Sequence, residues 1–162
     1  MTVSFRFAHA LVAAILLCLG ASALAADITL SNPWMRPTRA GTPTAAVYVD
    51  VKTDVPLRLV GASSPVAKSA GIRLVAQNPD GSTTETPVKE FDIAGGTVTR
   101  FAFNGNHIEL REIQQDLYPG ANVPLTMELV EPRGGAKHSI EIGVVVRGIL
   151  LPPPAEPGAK TN

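Results

Sequence analysis

Soft and borderline metal ligands are scarce in this chain, whose 162 residues include 1 Cys, 3 His and 3 Met. A single cysteine excludes a disulfide framework and any cysteine-rich zinc site. Charge of one sign is missing too. The 14 Lys+Arg balance 14 Asp+Glu and no basic block occurs, so the positive footprint of an electrostatic nucleic-acid binder is absent. With 45% hydrophobic and 17% charged residues, the chain is not intrinsically disordered. Apolar residues at helical spacing are absent, as are a glycine-rich phosphate loop and a nucleophile elbow. Ser63 and Ser64 precede Pro65, and His107 is the one plausible base, but no oriented triad accompanies them and nothing points to catalysis. No internal repeat or second domain is evident.

What is present begins with a leader. Arg6 is followed by the apolar run Ala10–Leu19, and Ala23-Leu-Ala25 forms a small-residue cleavage signal. Residues 1–25 therefore read as a secretory signal peptide; the run is short of the ~20 apolar residues that span a bilayer. Leu17 before Cys18 is not the small residue that lipid attachment requires, and Cys18 lies deep in the apolar run. Cleavage after Ala25 removes Met1, Arg6, His9 and Cys18. The mature chain then keeps only His107 and His138, only Met35 and Met127, and no cysteine. It reads as an exported domain without a membrane span.

All 14 prolines fall in the mature part, where apolar residues alternate with period two between turn residues. Val47, Val49 and Val51 alternate with Tyr48 and Asp50. Ile72 and Leu74 alternate with Arg73 and Val75, and Phe101 and Phe103 follow Thr99 on one face. Ile108 and Leu110 alternate with His107, Glu109 and Arg111. Two further stripes run Val123, Leu125, Met127, Leu129 and Ile140, Ile142, Val144, Val146. Asn78-Pro-Asp-Gly81, Gly95-Gly96, Asn104-Gly105, Pro119-Gly120 and Gly134-Gly135 supply turn chemistry between them. Roughly six to eight short strands at this spacing predict a single all-β domain over residues 26–150, an antiparallel β-sandwich. Residues 151–162, with Pro152-Pro153-Pro154, read as an extended, disordered tail.

Six pieces in order resemble the periplasmic copper chaperone family called PCu(A)C. They are Trp34-Met-Arg36, Ala45-Ala-Val-Tyr48, Leu59-Val-Gly-Ala-Ser-Ser-Pro-Val-Ala67, Gly95-Gly96, Gly105-Asn-His107 and Leu117-Tyr-Pro-Gly-Ala-Asn-Val-Pro-Leu-Thr-Met127. The resemblance implies a cupredoxin-like Greek-key β-sandwich. It also implies periplasmic copper handling, in which copper is bound and passed to a partner such as an oxidase copper-site assembly factor.

By the same resemblance the family's site combines two His and two Met, a donor set suited to Cu(I). This chain keeps one of the four. Arg73 stands at the first His, Glu85 at or beside the intermediate Met, and the closing His-x-Met reads His107-Ile-Glu109. Val75 and Arg111 occupy neighbouring positions where the family often carries further Met. A guanidinium offers no lone pair to a metal. Arg73, Glu85, Glu109 and Arg111 could instead form ion pairs across the strands. Alternatively, Glu85, His107 and Glu109 could make a harder site for Cu(II), zinc or another divalent ion, with Arg73 and Arg111 opposing the cation. His138 or Met35 could also approach from another loop. Taken singly, His138 reads as an exposed strand-end residue and Met127 as core. Met35 lies beside Trp34 near an expected sheet edge, and Trp34 reads as a core or loop anchor. Two functions follow: copper delivery with an altered site, or a metal-free binding and assembly module on the same fold.

Overall fold

The computed structural model describes residues 26–132 and 135–148. The leader and the Pro-rich tail expected from the sequence lie outside these residues, as does Gly134 of the last expected turn. The described chain is all strand and turn. Its strands are β1 (Ile28–Met35), β2 (Thr44–Thr53), β3 (Leu57–Ser63), β4 (Ala67–Gln77) and β5 (Thr83–Val88). They are followed by β6 (Phe91–Ile93), β7 (Val98–Phe101), β8 (His107–Ile113), β9 (Asn122–Val130) and β10 (Lys137–Val146).

Hydrogen bonds join them in the order β5-β4-β8-β2-β1-β10-β9-β3-β6, with β7 also paired to β2. The long strand β2 takes two partners along one edge: β8 along Thr44–Val47 and β7 along Val49–Lys52. Pairing is antiparallel except between β1 and β10, where Trp34 and Met35 lie parallel to Val145 and Val146. The first and last strands thus join the two halves of the sheet. Leu57 and Leu59 of β3, Leu125 and Met127 of β9, and Ile72, Ile108 and Leu110 of β4 and β8 belong to one buried cluster. Strands from both ends of the order therefore meet on a single core, which is the sandwich that the alternation predicts.

The stripe Val123, Leu125, Met127, Leu129 is buried throughout. Met35 is fully buried, because β1 lies inside the sheet rather than near an edge as expected. Phe101 is core, but β7 ends there, and Phe103 swings into the following turn, where it is 47% exposed. The expectation that Phe103 shares the buried face is corrected by that turn. The turns otherwise fall where the sequence places them: Gly81, Gly96 and Gly120 all take left-handed backbone with φ between 77° and 88°.

Candidate functional site

The outer face of the β5-β4-β8-β2 half carries the polar residues, because side chains alternate across a strand. On β8, Ile108 and Leu110 point into the core while His107, Glu109 and Arg111 point out. Across the β4–β8 ladder, Arg73 faces His107, Gly71 faces Glu109 and Ser69 faces Arg111. On the other side Ala46 faces Glu109 and Thr44 faces Arg111, while Val75 of β4 faces Glu85 of the edge strand. Although on the outer face, His107 is only 8% and Glu109 only 6% exposed.

Glu109 is covered by its own partners. Arg73 donates from Nε to Oε2 and from its terminal nitrogen to Oε1, each at 2.9 Å. Arg111 donates from Nε to Oε1 at 2.5 Å. Burial by itself would raise the Glu109 carboxyl, but the hydrogen bonds and charges of Arg73 and Arg111 outweigh it and hold the group below its ordinary value. The Arg73 guanidinium is raised in turn, chiefly by its hydrogen bonds to Glu109. The small residues opposite make room: a Cβ on Gly71 would stand 3.1 Å from the Arg111 guanidinium.

His107 is oriented by the turn before it, its Nδ1 lying 3.0 Å from the Gly105 carbonyl oxygen. The Ala102 amide donates to the Asn106 carbonyl at 2.9 Å, Asn104 takes left-handed backbone (φ 60°), and the Val75 amide donates to Asn106 Oδ1 at 2.9 Å. The turn is thereby clamped to β4, which fixes the imidazole. Tyr48 lies edge-on to His107 with centroids 6.3 Å apart, and burial raises its hydroxyl above the ordinary value.

A cavity of about 250 Å³ brings Glu85, His107 and Glu109 together beside Tyr48 and Phe103. The expected Glu85–His107–Glu109 set is thus gathered on one surface. Among the described residues, however, no three His, Cys, Asp or Glu side chains converge closely enough to hold a metal ion. Glu85 is exposed on the edge strand, and both Glu109 oxygens are engaged by guanidinium. His138 stands 3.6 Å by Nε2 from Glu131 Oε1 at the start of β10, half-buried rather than exposed. Met127 is fully buried.

An aromatic cluster beside the cavity was not singled out from the sequence. Trp34 and Tyr48 are cross-strand partners with centroids 4.5 Å apart, and Phe103 packs on Tyr48 at 6.1 Å. The Arg36 guanidinium carbon lies 4.4 Å from the Phe103 centroid, and that of Arg147 lies 5.7 Å from the Trp34 centroid. Period two places Tyr48 opposite Val47 and Val49, but it does not put Trp34 and Arg36 on the face of Tyr48. What joins them is the β1–β2 register, which period two alone does not reveal.

The fold is that of PCuAC domains. The copper-bound PCuAC domain from PmoF2 matches with a TM-score of 0.58 at 22% identity, covering 75% of this chain and 92% of that one. The apo PCuAC domain from PmoF1 matches with a TM-score of 0.58 at 21% identity, covering 75% and 93%. Residues 28–141 match the family model described as "Putative lipoprotein LpqE-like", and the chain belongs to this LpqE-like family. No curated protein is detectably similar in sequence.

Proposed function

We propose that this protein is an extracytoplasmic binding and assembly module that keeps the copper-chaperone fold without a tight Cu(I) site. The observation that supports this reading is the Arg73–Glu109–Arg111 group. At the positions where the family resemblance puts a His and a Met, the chain carries a guanidinium and a carboxylate bonded to one another at 2.9 Å. An arriving cation would have to displace two guanidinium groups from Glu109, and would find one imidazole and no thioether. Arg73 and Arg111 offset the charges of Glu109 and Glu85, so the site holds no excess negative charge to attract a metal ion.

Copper competition tests the reading on residues 26–162. Wild type is expected to compete for Cu(I) no better than His107→Ala, whereas Arg73→His combined with Glu109→Met should bind at least about tenfold more tightly, an effect of ~1.4 kcal/mol. Wild type binding as tightly as the double variant would overturn the proposal and restore copper delivery as the function. The related domain described as copper-bound makes that the competing outcome.

A further inference from the structure

The described arginines divide into two groups. Arg58 pairs with Glu90 and Asp92, Arg73 and Arg111 with Glu109, and Arg100 with Asp50. Arg36, Arg39 and Arg147 form no ion pair with a described carboxylate, and all three lie at or beside the aromatic cluster. Unpaired surface arginines are ordinary one at a time. Three around the cluster of Trp34, Tyr48 and Phe103, in a chain of balanced charge, make a local positive surface of the residue types that dominate binding energy at interfaces. One terminal nitrogen of Arg147 is buried without a hydrogen-bond partner.

The surface is grooved. Arg36 and Arg39 line a space of about 430 Å³ whose floor is Thr44, Ala45, Ala46 and Tyr48. The same four floor residues continue into the 250 Å³ cavity beside His107. The alanines on β2 leave the trough, and the two spaces together suit an extended run of residues better than one small ion. Charge differs along it: Arg36 and Arg39 stand at one end and Glu85 at the other. Asp116 senses Arg39, but its oxygens already accept from the Ala40 amide at 2.7 Å and the Tyr118 hydroxyl at 2.8 Å.

We infer that this groove docks an acidic, extended segment of a partner protein, its carboxylates held by Arg36 and Arg39 and its following residues lying over Tyr48 toward His107. Planar guanidinium groups take carboxylates in bidentate fashion, and stacking on Phe103 holds Arg36 ready for that contact. The inference deepens the proposed module by naming its partner surface, and the two fail separately, since copper competition reads the β4–β8 strand pair alone.

Trp34 is the single tryptophan of the chain and packs on Tyr48 of the groove floor at 4.5 Å, so its emission reports on the groove through that contact. The probe is acetyl-Glu-Asp-Glu-Leu-Ala-Gly-amide, titrated against the Gln/Asn version of the same peptide. The acidic peptide is expected to change Trp34 emission saturably and to bind at least about tenfold more tightly than the neutral one. Arg36→Gln with Arg39→Gln should remove that difference, while Arg58→Gln should keep it. Thermal melts of both variants verify that each is folded. No saturable change up to about 1 mM acidic peptide overturns the inference. So do equal binding of both peptides, an equal loss in Arg58→Gln, free glutamate binding as well as the peptide, or binding to phosphatidylglycerol vesicles in place of the peptide.

Discussion

Glu109 carries a carboxylate to a place where 6% of the residue meets solvent, and two arginines make that tolerable. A buried charge that loses its partners is destabilising, and so are two guanidinium groups left facing one another. Glu109→Ala should therefore destabilise the fold by about 1–3 kcal/mol in chemical denaturation, and Arg73→Ala should cost a similar amount. Because the folded carboxyl titrates below its ordinary value, its contribution is complete above the unfolded value near 4.5 and is lost as pH falls through the folded value. Wild type should lose stability on acidification below that point, and Glu109→Gln should flatten this part of the pH profile. An unchanged acid limb in Glu109→Gln would show that other carboxylates govern it. The residue types at these positions were legible in the sequence, including the guanidinium where the family resemblance expects imidazole. The fork of Arg73 onto both Glu109 oxygens was not, because it depends on Arg73 facing His107 and reaching diagonally to the next outward residue.

Strands and turns were more legible than the contacts between them. Alternation located the buried faces of β2, β8 and β9, and the glycine-bearing turn signals at Gly81, Gly96 and Gly120 located tight turns. It could not tell an interior strand from an edge, which is why Met35 turns out to be core, nor show that β7 stops before Phe103. Gly95 illustrates a constraint that spacing hides. A Cβ there would stand 2.7 Å from the Val55 carbonyl carbon and 2.8 Å from the Pro56 nitrogen, so the turn between β6 and β7 presses on backbone that cannot swing aside. Gly95→Ala should cost about 1–3 kcal/mol, whereas Gly105→Ala, whose nearest neighbour would stand at 3.5 Å, should cost clearly less. Equal midpoints for the two variants in a urea titration would refute the close approach.

One core serves the whole described molecule, and residues from strands at both ends of the sheet order contribute to it. Unfolding should accordingly be a single cooperative transition, with far-UV circular dichroism and Trp34 emission changing together. Separate midpoints for the two signals would mean that the β1–β2 aromatic cluster melts independently of the rest. The pairing of Trp34 and Met35 with Val145 and Val146 adds a matter of timing. A chain synthesised from its N-terminus places the first strand more than a hundred residues ahead of one of its two neighbours. Until Val146 has emerged, β1 keeps an open edge, Met35 lacks part of its cover, and Arg147 cannot reach the Trp34 ring. β10 therefore works as a latch: the sheet closes over β1 only once β10 is available to pair with it, and any length of chain that stops before Val146 leaves that edge open.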